Sequence, residues 1–116
     1  MKRYVDGFVM PIQKSKLKAY KRMAARAGKM WIKHGALQFV ETVGEDLKSA
    51  KKWGCLPFPQ MTKAKPNETV IFSFIVYRSR KHRDAVNAKV MKELEMDLPL
   101  DMKRSAVGGF ETIINL

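Results

Sequence analysis

The sequence predicts an α+β fold, a ferredoxin-like β-α-β, loop, β-α-β subunit with an antiparallel sheet and both helices on one face. Three observations lead there. Two amphipathic helical segments are each flanked by strand-like segments, and the halves echo one another, "GALQFVETV" against "VGGFETIIN". The segment "TVIFSFIVY", residues 69–77, is apolar on both of its faces and therefore asks for cover on both. With the helices on one side, the other side of the sheet is left for a second sheet, so a homodimer packed sheet to sheet is expected.

In chain order, "YVDGFVM", 4–10, reads as a short strand ended by Pro11. From Ser15 to about Lys33 the period changes. Leu17, Tyr20, Ala24, Ala27 and Trp31 recur at spacings of three and four and fall on one helical face. Lys18, Lys21, Arg22, Arg26, Lys29 and Lys33 fall on the opposite one. Ser15 suits the N-cap and Gly35 the C-terminal stop. "ALQFVETV", 36–43, is a second strand, rich in β-branched and aromatic residues. Residues 44–68 are polar and contain Gly54, Pro57, Pro59 and Pro66. So long a structureless stretch is unusual, which predicts a hairpin of "QMTKA" with 69–77 turned at Pro66 and Asn67. Ser79 then caps a second helix to about Met96, "MDLPLD" is a loop, and "SAVGGFETIIN" is the last strand.

Length and composition agree with one domain over residues 1–116, the insertion at about 44–68 included. The single cysteine, Cys55, excludes an internal disulfide and suits a reducing compartment. Asp6 and Gly7 interrupt the apolar start too early for a signal peptide, and no stretch has the length of a membrane span, so a cytoplasmic protein is expected. The net charge of +12 sits almost entirely in residues 1–35, where ten basic side chains face one acid.

The second helix sends Lys81, His82, Lys89, Lys92, Glu93 and Glu95 away from its apolar arc of Val86, Val90, Met91 and Leu94. Arg83 and Asn87, one turn apart, fall inside that arc, and Arg80 leans the same way. A guanidinium removed from water needs an acceptor, which Asp6, Glu41 and Glu111 offer from apolar strands and Asp84 from the helix itself. Two arrangements follow: an internal ion-pair network that sets helix-to-sheet register, or a pocket for a small polar or anionic ligand edged by Phe8, Phe72, Phe74 and Met91.

The segments "YVDGFV", "HGALQFVE", "KAKPNETVIFSFIVYRSRKHRDAVNAKVM" and "DMKRSAVGGFETI" resemble the YbaA-like family, domain of unknown function 1428, over almost the whole chain. The resemblance implies a dimeric α+β barrel, with the family pattern carried by Tyr4, Asp6, Gly7, Glu41, Tyr77, Ser79, Arg83, Asp84, Asn87, Gly108, Gly109 and Glu111 among others. Asp6, Glu41, Tyr77, Arg83, Asp84, Asn87 and Glu111 are accordingly the candidate ligand-binding residues. The chain departs from the pattern at "SAKKWGCLPFPQMT" and at Ser105 and Val107.

Catalytic motifs are lacking: there is no Gly-x-Ser-x-Gly elbow, no His-Glu-x-x-His and no glycine-rich phosphate loop. His34, His82 and Cys55 have no metal-ligand spacing, so neither metal nor cofactor is expected. Two alternatives to a passive binder stand. The fold class hosts cofactor-independent oxygenases of small organic molecules, an analogy that transfers no catalytic residue. The cations of the first helix could instead bind nucleic acid or another polyanion, although no aromatic residues interleave with them.

Overall fold

The computed structural model describes residues 2–94 and 101–116. Strand β1 (Tyr4–Gln13) runs through a 3-10 turn at Lys14–Lys16 into helix α1 (Leu17–Lys33), and strand β2 (Gln38–Val43) follows. The insertion holds a 3-10 turn at Ser49–Trp53 and a short helix, α2 (Phe58–Thr62). Strand β3 (Glu68–Tyr77) leads to helix α3 (Arg80–Glu93), then a 3-10 turn at Met102–Arg104 and strand β4 (Ala106–Glu111). The strands make one antiparallel sheet in the order β2-β3-β1-β4, the ferredoxin-like arrangement. Ala27 and Trp31 of α1, Ile75 and Tyr77 of β3, and Val86 and Val90 of α3 share one core cluster, so both helices lie on the same side. The second helix ends at Glu93, with Leu94 extended, before the expected Met96, and positions 95–100, with most of the expected "MDLPLD" loop, lie outside the described residues.

The register assigns every strand residue to a face. Asp6 opposes Ile75 on one side and Gly109 on the other, and Phe39 opposes Ile75 from β2. With a side-chain period of two, Tyr4, Asp6, Phe8, Met10, Ile75, Tyr77 and Gly109 therefore face the helices. Val5, Val9, Phe72, Phe74, Val76 and Phe110 face the other way.

Helix α1 buries the stripe that the sequence marks, Tyr20, Ala24, Ala27 and Trp31, and all six cations of the opposite face are exposed. It ends as expected at Gly35, whose φ of 114° is open to glycine alone at little strain. The Gly35 N–H bonds to the Ile32 carbonyl and the Ala36 N–H to that of Trp31, the paired bonds of a Schellman stop.

Several expectations change. "QMTKA" does not pair with β3, whose two edges are taken by β1 and β2. Pro57 at the N-cap and Pro59 in the first turn start α2 instead, since neither ring needs an N–H there. The turn at Pro66 and Asn67 is kept, closed by Glu68 N–H on the Lys65 carbonyl at 2.9 Å. Ser15 caps nothing; it sits inside the 3-10 turn, and no side chain caps α1.

Pro11 does not end β1 but stands within it, opposite Val70. The Lys14 N–H bonds to the Asn67 carbonyl, which places the even-numbered residues of β1 on the β3 ladder. Pro11 thus turns its nitrogen towards the β4 side, where pairing stops at Val9 and Ala106, and no ladder bond is lost.

The far face of the sheet is partly covered by the insertion. Phe58 meets Phe72 edge-on with centroids 6.1 Å apart, Thr62 of α2 is buried against the sheet, and Pro11 and Val70 are buried. Beyond α2 the face is open, with Phe110 at 61% exposure. Arg104 ties the insertion to the last strand. Its guanidinium reaches both Glu68 carboxylate oxygens, at 2.7 and 2.8 Å, together with Asp101 and the Lys63 carbonyl.

Candidate functional site

Helix α3 begins as the sequence predicts, with Ser79 Oγ accepting the His82 N–H at 3.1 Å. That cap sets the rotation of the helix and turns Arg83 and Asn87 towards β1 and β3. Arg83 Nη1 donates to Asp6 Oδ1 at 2.6 Å and Nε to Asp84 Oδ1 at 2.7 Å, while the guanidinium lies 4.9 Å over the Tyr4 ring. Asp6 is only 7% exposed, so its charge depends on this partner. Asp84 is exposed and flanks the pair from outside. The bond to Asp84 and the Asp6 charge together raise the Arg83 pKa, so the cation is permanent.

Asn87 joins the ion pair to an aromatic group. Its Oδ1 accepts from Trp31 Nε1 and from the Tyr77 hydroxyl, both at 3.0 Å, and its Nδ2 reaches Asp6 Oδ2 at 3.5 Å. Trp31 Nε1 also lies 3.1 Å from the Tyr77 oxygen. With two donors on its oxygen and a carboxylate at its nitrogen, the Asn87 amide has one sensible orientation. Burial, reinforced by Asp6, pushes the Tyr77 pKa far above that of a free phenol, so the hydroxyl stays a donor at any physiological pH.

Above this network a cavity of about 490 Å³ opens between α3, β1 and β4. Phe8, Trp31, Met91, Leu94 and Val107 give it apolar walls, and Asp6, Arg83 and Asn87 form its polar floor. Gly108 and Gly109 complete it on the β4 side, where a Cβ on Gly109 would lie 2.8 Å from two Tyr4 ring atoms. Arg83 Nη2 has no hydrogen-bond partner among the described residues. The floor therefore offers a spare, permanently charged donor beneath apolar walls that stay partly open to solvent, Met91 being 58% and Val107 70% exposed. That combination suits an organic molecule with one strong acceptor.

Of the sequence candidates, Asp6, Tyr77, Arg83, Asp84 and Asn87 meet in this one cluster. Glu41 lies elsewhere, accepting from the Tyr20 hydroxyl at 2.8 Å beside a second, smaller cavity of about 100 Å³ under α1. Burial of its carboxylate raises the Glu41 pKa, against the hydrogen bonds from Tyr20 and Ser73. Glu111 pairs with Lys2 at 2.8 Å at the sheet end. Phe72 and Phe74 are on the opposite face of the sheet and line nothing here, and Met91 is the only one of the expected apolar edge residues besides Phe8 that does. His82 does not point away: its Nδ1 accepts the Arg78 N–H at 3.0 Å and its ring meets Tyr77 edge-on. Arg80 is exposed and lies outside the cavity. Trp31 and Tyr4 also belong to the cluster, although neither is a candidate ligand residue from the sequence. A tryptophan in a buried stripe reads as packing, although its N–H requires an acceptor and so hints at a polar neighbour. Among the described residues no group of three metal-ligating side chains occurs, and no helix is long and apolar enough to cross a membrane.

A β2-β3-β1-β4 sheet with two helices on one side and a cavity between helix and sheet defines a ferredoxin-like α+β protein. The solved structure of a putative antibiotic biosynthesis monooxygenase from Nitrosomonas europaea has the same fold, with a TM-score of 0.52 over 96% of this chain and 90% of that one, at 12% identity. The chain belongs to the family described as "Protein of unknown function (DUF1428)", whose model matches residues 3–105. It is 42% identical over 118 residues to the uncharacterized protein YbaA of Escherichia coli K12, covering 97% of this chain and 98% of that protein. The YbaA of Shigella flexneri matches equally well.

Proposed function

We propose that this protein binds a small organic molecule in the cavity between α3 and the sheet, as a cytoplasmic homodimer. The observation that carries the proposal is the pairing of apolar walls with the Asp6–Arg83–Asn87 floor, where a fixed cation keeps a donor that has no partner among the described residues. A purely structural ion pair would gain nothing from a cavity above it.

The test uses the chain's own fluorophores. Trp53 is 80% exposed, so Trp53→Phe leaves Trp31, at the pocket wall, as the remaining indole. Small aromatic and carbonyl compounds that raise the melting temperature should shift Trp31 emission, and Asn87→Ala should weaken them about tenfold or more. Hits that leave Trp31 silent, or that bind Asn87→Ala as well as the parent, would sink the proposal.

A second reading makes the same pocket an active site for cofactor-independent oxygenation. Its support is the likeness in fold to a putative monooxygenase, together with the Trp31, Tyr77 and Asn87 donors beside Asp6. Oxygen uptake on adding a confirmed ligand separates the two, since a passive binder consumes none.

A further inference from the structure

Beyond the wall made by Tyr4 and Gly109 lies another cleft, of about 380 Å³, at the end of the sheet where β1 starts and β3 finishes. Because Tyr4 opposes Tyr77, the residue before β1 lies beside the residue after β3, which places Arg3 next to Arg78. Lys2 and Arg80 complete the basic lining, and Glu111 is the one acid. Glu111 is engaged by Lys2 at 2.8 Å, whereas Arg3, Arg78 and Arg80 have no carboxylate partner among the described residues. The start of α3 is not the attraction, for its His82 N–H is already held by Ser79 and the Arg78 N–H by His82.

Three arginines that line one cleft and have no carboxylate partner among the described residues repel one another and add nothing to the stability of the fold. They create a positive potential that an anion would relieve, and their planar forks match phosphate and carboxylate oxygens in pairs. The cleft also adjoins the pocket described above. Gly109 lines both, and Arg83 of the pocket floor stacks on Tyr4 of the cleft wall. The Tyr4 ring packs over Gly109, where a side chain would strike it, and is the partition between the two spaces.

We infer that the ligand of the pocket is an organic anion, its apolar body against Phe8, Trp31 and Met91 and its phosphate or carboxylate group carried past the edge of the Tyr4 ring to Arg3, Arg78 and Arg80. This rests on the pocket proposed above and adds the chemical class of its ligand. Arg83 then serves the body of the ligand, and the three outer arginines select its charge.

Phenol, phenyl phosphate, phenylacetate and inorganic phosphate are the probes, read by amide and indole NMR on the full chain at low salt. At least one anionic aromatic probe should move the Trp31 indole and the Arg78 and Arg80 amides together, binding about tenfold tighter than phenol. The stronger of the two identifies phosphate or carboxylate. Arg78→Ala/Arg80→Ala should abolish that gain while keeping the affinity for phenol. Anionic probes no tighter than phenol, or still amides at Arg78 and Arg80, overturn the inference and leave the pocket reading intact. A Trp31 indole unmoved by every probe, with inorganic phosphate still shifting Arg78 and Arg80, overturns the pocket reading and the two-part ligand together.

Discussion

Asp6 holds its charge inside the molecule on the strength of one guanidinium at 2.6 Å and one amide. Arg83→Leu leaves that carboxylate buried without a countercharge, which should cost about 3–5 kcal/mol in urea unfolding. Adding Asp6→Asn should recover more than half of the loss, because the orphaned charge goes with it. A single variant as stable as the parent would show that water reaches Asp6. The spacing that marked this pair was readable in advance, since residues 83 and 87 stand one turn apart within an apolar arc. Which acid would answer was not readable. Asp6, Glu41 and Glu111 all alternate correctly along their strands, and only the strand order decides that Asp6 lies beneath α3 while the others lie beyond its reach.

Among the elements, the insertion was the least legible. "FPQMT" is too short to show a helical period, and the apolar far side of β3 looks the same whether α2 or a partner covers it. Its anchor is the Glu68–Arg104 pair, in which the Arg104 hydrogen bonds hold the Glu68 pKa at about 2, down from 4.5. A depressed carboxylate contributes its stability fully above the unfolded value, and that contribution fades as pH falls from about 4.5 towards about 2. Urea midpoints should therefore drop over that acid window, and Arg104→Met should flatten the drop; an equal acid limb in both would remove Glu68 as its cause. For α1 the expected result is negative. Its six cations lie on a convex face without stacking aromatics, so filter binding should retain no RNA at about 0.15 M salt. Retention that is lost on replacing Lys21, Arg22 and Arg26 would restore the polyanion reading.

For the molecule as a whole, the open part of the far sheet face is the test of assembly. Phe110 and its neighbours leave an apolar surface beyond α2, which the proposed dimer would cover with the matching sheet of a second copy. Light scattering on the eluting protein should give twice the 13.3 kDa chain mass, and Phe110→Lys should halve it while the circular dichroism stays unchanged. A chain that elutes as a monomer at tens of micromolar (about the range of ordinary association) would refute the dimer. The α+β class and the element order were legible because the two hydrophobic periods switch cleanly along the chain. The open sheet face was legible only in part, since a short helix covers one end of it.

Pro11 has a bearing on how the protein comes to be made. Strand β4 is the last of the four strands to leave the ribosome, so until it emerges the odd-numbered edge of β1 waits unpaired. A continuous row of donors there would invite strands of neighbouring nascent chains. The proline breaks the row beyond the reach of β4, at a point the finished sheet never uses. Pro11→Val, which completes that row of donors, should therefore aggregate more during refolding while losing little stability in the native state.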